Sequence, residues 1–112
     1  MQFGDVVAVD FGNPIGSEAG FLRPAVVLAA DALLRYWPTT VFVVPLTTTA
    51  RRFPSHIEVT PDSGNGLDAT SYGQVEQMRA VSIERCSAAT GNVGPAVGHQ
   101  MLDVLAMILG MP

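Results

Sequence analysis

Residues 24–30, PAVVLAA, decide the fold of this chain. The stretch is short, rich in valine and apolar at every position, and it is bounded by Arg23 and Asp31. A half-buried strand alternates apolar and polar residues, whereas a strand covered on both faces does not. Residues 24–30 therefore predict a central strand of a sheet.

Further strands are predicted on either side of this stretch. Valine-rich or alternating runs of four to eight residues, separated by Gly and Pro, are typical of strands. The predicted strands cover residues 6–11, 39–46 and 55–59, one or two segments within 69–81, and a short segment within 83–88. Residues 32–36 predict one or two helical turns with Asp31 as a possible N-cap, and residues 12–20 predict a glycine-rich loop.

The end of the chain predicts a helix that is apolar on most of its surface. Gly94 and Pro95 suit a helix start, since proline is favoured in the first helical turn. Seven large apolar residues follow between positions 99 and 109, and only Gln100 and Asp103 form a narrow polar stripe. Such a helix must be covered on more than one side. The sheet can cover one side and a second copy of the chain the other, so we expect a homodimer; the alternative is a fully buried helix in a monomer.

The element pattern predicts a mainly β protein with one C-terminal helix. Several short strands with Gly/Pro turns favour a small, strongly curved antiparallel sheet or barrel. The length of 112 residues, with no repeat or change in composition, predicts a single domain over residues 1–112.

The charge balance limits the kind of partner surface. The six basic residues are all arginine and the net charge is −4, so a broad basic nucleic-acid surface is excluded while a local arginine-lined groove is allowed. The lone Cys86 excludes an intramolecular disulfide. No signal-peptide pattern or bilayer-length apolar run is present. We therefore expect a cytoplasmic protein without a membrane segment.

Common motifs for metals and cofactors are absent from the sequence. His56, His99 and Cys86 lie far apart along the chain and do not form a zinc-binding spacing. No phosphate-binding loop, dinucleotide-binding glycine motif or GxSxG motif occurs. The sequence therefore predicts neither a cofactor nor a metal site. It predicts His56 as an ordinary strand residue and Cys86 as a small core residue.

Polar residues cluster where the predicted strands meet loops. Each has an ordinary structural explanation on its own, such as an edge ion pair for the arginines or turn formation for the threonines. These residues are Ser17 and Glu18 in the glycine loop, Arg23 before the central strand, Thr47, Thr48 and Thr49 after the next strand, Arg51 and Arg52 beyond them, and Glu76 and Gln77 within a strand pattern.

The order of these residues resembles the MazF/PemK family of toxin endoribonucleases. The resemblance is carried by four motifs in register: the opening strand at 4–11, GDVVAVDF; the loop and second strand at 16–28, which includes Ser17, Glu18 and Arg23; residues 44–54, VPLTTTARRFP; and residues 75–79, VEQMR. The apolar terminal helix is also typical of the family. Ala19 and Leu22 depart from its pattern, so the details of RNA contact in that loop do not carry over.

The resemblance implies an SH3-like β-barrel and a homodimer that cleaves single-stranded RNA without metal and is inhibited by a cognate antitoxin protein. It implies Arg23 and Thr47 as the central catalytic pair. Arginine and threonine donors suit the non-bridging phosphate oxygens. Glu76 is the candidate general base and Glu18 the alternative. Candidate RNA-binding residues are Ser17, Glu18, Thr48, Arg51, Arg52 and Gln77.

Two other functions fit the same fold. One is a related toxin that poisons DNA gyrase and relies on a C-terminal tryptophan motif. Here the only tryptophan is Trp37, which counts against that function. The other is a non-catalytic binding module in which Arg23 and the threonines are structural.

Overall fold

The computed structural model describes residues 1–36 and 39–111, and it has one curled antiparallel sheet with a long C-terminal helix. Trp37 lies outside the described residues. The described elements are β1 (Asp5–Asp10), β2 (Leu22–Val27), α1 (Asp31–Leu34), β3 (Thr40–Thr47), β4 (His56–Val59), β5 (Ser71–Gln74), a first 3-10 helix (Val75–Gln77), β6 (Arg79–Ser82), a second 3-10 helix (Ile83–Arg85), β7 (Gly91–Asn92) and α2 (Gly94–Ile108).

The strand β2 lies in the middle of the sheet, as its sequence predicts. The strands follow the order β4-β5-β3-β2-β1-β7, and β6 also pairs with β3. Every named pair is antiparallel. The predicted curved sheet with a terminal helix is confirmed.

Both faces of the central strands are buried. Successive residues of β1 to β3 point to opposite faces, and valine occupies most of the buried positions on both. Val6, Val26 and Val44 belong to one cluster with Met101 of α2. Val7, Val27 and Val43 belong to a second cluster on the other face. This double burial explains the continuous apolar runs in the sequence.

The helix α2 packs on the sheet through Met101 and exposes an apolar strip, residues 107–109, at its C-terminal end. Met101 is fully buried against the sheet. Met107, Ile108 and Leu109 are 54%, 42% and 65% exposed. The predicted terminal helix is confirmed, and its exposed apolar strip agrees with the expected homodimer.

The segment after β5 differs from its sequence-based prediction. Since β2 occupies one edge of β3, β5 and β6 lie one after the other along the opposite edge. Between them the 3-10 helix Val75–Gln77 interrupts the pairing. The prediction that Glu76 and Gln77 lie in a strand is therefore wrong. Val75 turns into the core at 1% exposure, and the two polar residues leave the sheet.

Three smaller expectations also change. The predicted strand at 83–88 is mostly the second 3-10 helix, and only Cys86 forms an isolated bridge with Val9. The two-residue strand β7 was not predicted. Asp31 is not the N-cap of α1, because Ala30 holds that position and the Asp31 carboxylate accepts a hydrogen bond from the Phe3 N–H at 2.7 Å.

Within residues 1–36 and 39–111, no helix has the length and apolar character needed to cross a bilayer.

Candidate active site

A groove of about 790 Å³ opens where β2 and β3 meet the loop at 12–21 and the first 3-10 helix. The fold gathers here residues that are up to 60 positions apart in sequence, as in the Ser17–Gln77 contact. Of the predicted site residues, those that line the groove are Ser17, Glu18, Arg23, Thr47, Arg51, Glu76 and Gln77. Thr48 lines a neighbouring groove, and Arg52 lines neither of the two.

The pairing of β2 with β3 sets Arg23 beside Thr47. Ala25 pairs with Pro45 in the antiparallel register. Continuing that register by two residues places Arg23 opposite Thr47, with both side chains on the same face. The sequence separates these residues by a long connection, so only the strand register brings them together.

The Arg23 guanidinium is half-buried and held from two directions. Its Nε donates to the Gly20 carbonyl at 2.9 Å, and its Nη1 donates to Gln74 Oε1 at 3.4 Å. Gln74 is 3% exposed and so provides a fixed acceptor. Within the described part of the chain Nη2 has no hydrogen-bond partner. Arg23 therefore keeps donor capacity for an anion in the groove.

Gly20 is fixed by its close packing against Pro14. A Cβ at Gly20 would lie 2.5 Å from Pro14 Cδ, which is closer than any side chain tolerates. Any larger residue would displace this part of the loop. Because the Gly20 carbonyl accepts from Arg23, the same displacement would also turn the guanidinium.

Thr47 is the last residue of β3, and a backbone hydrogen bond orients its hydroxyl group. The Thr49 backbone N–H donates to Thr47 Oγ1 at 3.2 Å. The Thr47 hydroxyl oxygen therefore accepts a hydrogen bond from the turn, and the hydroxyl proton remains available to be donated to another group. Thr47 can donate to a phosphate oxygen beside Arg23.

Glu76 is held at both carboxylate oxygens by residues that precede or begin β4. Ser55 Oγ donates to Glu76 Oε1 at 2.9 Å, and His56 Nε2 lies 3.0 Å from Glu76 Oε2. The His56 side chain is only 3% exposed, while that of Glu76 is 33% exposed. The Phe53 ring packs against the imidazole in a T-shaped arrangement at 5.1 Å between centroids. The carboxylate therefore faces the groove in a fixed orientation.

The buried imidazole of His56 has one unpaired nitrogen. His56 Nδ1 is buried and has no hydrogen-bond partner among the described residues. An ionised carboxylate only accepts hydrogen bonds, so Nε2 must carry a proton to bond Glu76. The neutral Nε2–H tautomer satisfies this contact and leaves only an acceptor lone pair at Nδ1.

Gln77 and Glu18 hold the glycine loop in place. Gln77 Nε2 donates to the Ser17 carbonyl at 2.7 Å, and Gln77 Oε1 accepts from the Ala19 N–H at 2.8 Å. Glu18 Oε1 accepts from the Ile15 N–H at 2.8 Å. The carboxamide of Gln77 thus joins the 3-10 helix to the loop across the groove.

Sequence reasoning missed Ser55, His56 and Gln74. Each contacts a predicted catalytic residue, either Glu76 or Arg23. The only sequence signal was a polar residue at the start or end of a short strand, which is common in proteins. Their burial and their partners follow from the tertiary fold.

The groove combines two arginines with two glutamates. Arg23 and Arg51 line it together with Glu18 and Glu76. Within residues 1–36 and 39–111, no three His, Cys, Asp or Glu side chains converge as metal ligands would. The positive charge that the groove offers to a phosphate therefore comes from guanidinium groups, next to carboxylates that can accept a proton.

A family model described as PemK-like, MazF-like toxin of type II toxin–antitoxin systems matches residues 2–109. This chain belongs to that family. The family resemblance predicted from the four motifs is therefore confirmed, and the match spans nearly all of this PemK/MazF-like chain.

Relatives of known sequence and structure agree with this family. The chain is 30% identical to endoribonuclease MazF9 of Mycobacterium tuberculosis over 116 aligned positions, which cover 99% of this chain and 98% of the relative. It is 34% identical to endoribonuclease MazF of Staphylococcus saprophyticus, covering 76% and 71% of the two chains. A mycobacterial endoribonuclease solved in complex with its cognate antitoxin superposes with a TM-score of 0.80 and 26% identity, covering 100% of this chain and 97% of the other.

Proposed function

We propose that this PemK/MazF-like chain is a toxin that cleaves single-stranded RNA without a metal ion. The observation that carries the proposal is the meeting of Arg23 and Thr47 on neighbouring strands, at a groove that also contains the Glu76 carboxylate. Family membership and two relatives named as endoribonucleases support the activity.

In the proposed reaction a ribose 2′-oxygen attacks the adjacent phosphorus. The bond from phosphorus to the 2′-oxygen forms, and the bond to the 5′-oxygen of the next nucleotide breaks. Arg23 and Thr47 donate hydrogen bonds to the non-bridging oxygens, where negative charge accumulates in the transition state. The products are a 2′,3′-cyclic phosphate and a 5′-OH.

Glu76 is the proposed general base that takes the 2′-OH proton. Ser55 and His56 orient its two oxygens, and orientation of the base is a condition for efficient proton transfer. The alternative base, Glu18, accepts a hydrogen bond from the Ile15 N–H and so serves the loop. Water in the open groove supplies the proton to the departing 5′-oxygen.

The remaining predicted residues have proposed roles in RNA binding. Arg51 lines the groove, where it can pair with a flanking phosphate, and Arg52 follows it in the chain. Ser17 and Thr48 offer hydroxyl groups to bases or ribose. Gln77 acts by holding the loop, since both ends of its carboxamide already bond Ser17 and Ala19.

The proposed partners are a cognate antitoxin protein and a second copy of the chain. A structural relative at 26% identity is solved with its own antitoxin, which supports a partner of the same kind here. The exposed apolar strip on α2 supports the homodimer. Occupation of the arginine-lined groove by the antitoxin would exclude RNA.

The test is cleavage of a long RNA of mixed sequence by purified protein in excess EDTA. We expect discrete cuts with 2′,3′-cyclic phosphate and 5′-OH ends. Arg23→Ala should reduce cleavage by at least about a hundredfold, since a donor to a developing oxyanion contributes about 10²–10³ in rate. The circular dichroism spectrum should remain that of the folded wild type.

The controls separate the alternatives. Arg85→Ala removes an arginine outside the groove, which bonds the Asp10 carbonyl, and should leave cleavage intact. Fragments with 5′-phosphate ends, or activity that EDTA abolishes, would contradict the proposed reaction. A folded protein that cuts none of many RNAs would indicate the non-catalytic binding module.

A further inference from the structure

A second groove, of about 370 Å³, adjoins the first at Arg23 and Thr47. Arg23 and Thr47 line both grooves. The rest of the second groove includes Phe21, Leu22, Leu46 and Thr48. The two grooves thus meet at the proposed phosphate site.

Phe21 is presented to solvent in an unusual backbone conformation. Its φ is 61°, in the left-handed region that favours glycine, and its side chain is 60% exposed. Its N–H donates to the Gly12 carbonyl at 2.7 Å, and its carbonyl accepts from the Phe11 N–H at 3.0 Å. Neighbouring Leu22 is 71% exposed. Strained residues that are held in this way occur preferentially at functional sites.

The two grooves differ in chemistry. The first contains both candidate bases, Glu76 and Glu18. The second contains no carboxylate among its lining residues. Each groove exposes an aromatic ring, Phe53 in the first and Phe21 in the second. Of the two grooves, a carboxylate proton acceptor therefore lines the first and not the second.

This difference gives the bound RNA a direction. The attacking 2′-OH belongs to the nucleotide on the 5′ side of the scissile phosphate, so that ribose must lie beside the base. Either carboxylate places it in the first groove. The nucleotide on the 3′ side, which carries the leaving oxygen, then extends over the second groove.

We propose that the second groove binds the nucleotide on the 3′ side of the cut and that Phe21 stacks on its base. The inference rests on the proposed ribonuclease function. Single-stranded RNA is commonly bound by stacking unpaired bases on aromatic side chains. Thr48 at the same groove has a hydroxyl that can bond the base edge or ribose. RNA is favoured over an apolar peptide side chain because the groove is continuous with the phosphate site.

The experiment uses short RNAs that contain the mapped cleavage sequence, with one abasic nucleotide on either the 3′ or the 5′ side of the cut. For the wild-type protein, loss of the 3′ base should lower kcat/KM about tenfold, in line with measured base–aromatic stacking. In Phe21→Ala the intact RNA should already be cut about tenfold more slowly, and the abasic nucleotide on the 3′ side should cause no further loss. The penalty for an abasic nucleotide on the 5′ side should be the same in both proteins.

Further variants separate the ring from the backbone. Phe21→Gly accommodates the positive φ without a side chain and should behave as Phe21→Ala. Phe21→Trp keeps an aromatic ring, so an abasic nucleotide on the 3′ side should still lower kcat/KM. The matched control is Ile15→Ala, on the same loop at 81% exposure and outside both grooves. It should cut as the wild type does.

Each other outcome overturns the inference in a distinct way. In the first, the wild type cuts RNA while Phe21→Ala still shows the full loss of kcat/KM from the abasic nucleotide on the 3′ side. In that case the stacking site is wrong and the proposed ribonuclease function is unaffected. If Phe21→Ala instead weakens only antitoxin binding, the groove belongs to the protein partner. If the wild type cuts no RNA, the proposed function fails and this inference fails with it.

Discussion

At the scale of single residues, His56 is the clearest case of a buried polar group placed to orient another. It is almost completely covered, and its Nε2 contacts the Glu76 carboxylate. A buried polar group without a partner is costly, yet Nδ1 has none among the described residues. The contact between His56 and Glu76 exists despite the cost of burying Nδ1 without a partner. We therefore interpret His56 as a positioning residue for Glu76.

The prediction for His56 compares two replacements. His56→Gln can still place an amide N–H near the Glu76 carboxylate and should retain most of kcat. His56→Ala should lower kcat by about tenfold or more, because hydrogen bonds to charged groups are worth about 1.5–3 kcal/mol. KM for RNA should change little in either variant. Equal losses in the two variants at equal thermal stability would contradict this role.

Cys86 leads to a prediction at the same scale. Its thiol is half-buried, donates weakly to the Ser82 carbonyl and packs beside the valine cluster. Burial raises the pKa of the Cys86 thiol, so less thiolate exists at neutral pH. Alkylation by iodoacetamide at pH 7 should therefore be slower in the folded protein than in the urea-unfolded chain. The rate should also rise at a higher pH in the folded state; identical pH profiles would refute this.

At the scale of elements, the first 3-10 helix determines the groove. A continuous strand from Ser71 to Ser82 would keep every second side chain on one face of the sheet. The interruption at Val75–Gln77 instead buries Val75 and sends Glu76 and Gln77 out towards the loop. Because the strand pairing is interrupted here, the segment Val75–Gln77 supplies both the proposed base, Glu76, and the contact to the loop, Gln77.

Gln77→Ala tests whether this element holds the loop. The variant loses both hydrogen bonds to the loop, at Ser17 and Ala19, so amide exchange at Ala19 should accelerate. RNA cleavage should fall about tenfold as the loop loosens. The exposed Gln100 of α2 provides the control, and Gln100→Ala should affect neither measurement. Unchanged exchange at Ala19 would show that other contacts hold the loop.

The sequence predicts the elements better than the contacts between them. Valine-rich runs and the apolar pattern after Gly94 are local signals, and β2 and α2 follow from them. The opposition of Arg23 to Thr47 depends on the β2–β3 register. The 3-10 helix Val75–Gln77 is too short for its sequence to distinguish it from a strand. The burial of His56 is set by Phe53 and Glu76 around it, which no local pattern reveals.

At the scale of the whole molecule, the exposed apolar C-terminal end of α2 predicts association of two copies. Exposed Met107, Ile108 and Leu109 form an apolar strip at the end of the helix, and contiguous apolar surface on a small protein commonly marks an interface. The wild type should sediment as a dimer, and Ile108→Glu should shift it towards monomer without loss of helix content. Gln100→Glu adds the same charge at an exposed position about two turns earlier on α2, away from this strip, and should remain dimeric. A monomeric wild type would disprove the expectation.

The assembly of the groove from distant segments has a consequence for the synthesis of this protein. The proposed catalytic residues lie on β2, on β3 and on the 3-10 helix at Val75–Gln77, and the core beneath that helix includes Met101 of α2. A ribosome must therefore have made almost the whole chain before the groove can form. A nascent or truncated polypeptide that ends before α2 lacks the part of this core that α2 supplies and should be harmless to the cell that makes it. The activity would begin only when a finished molecule has been released.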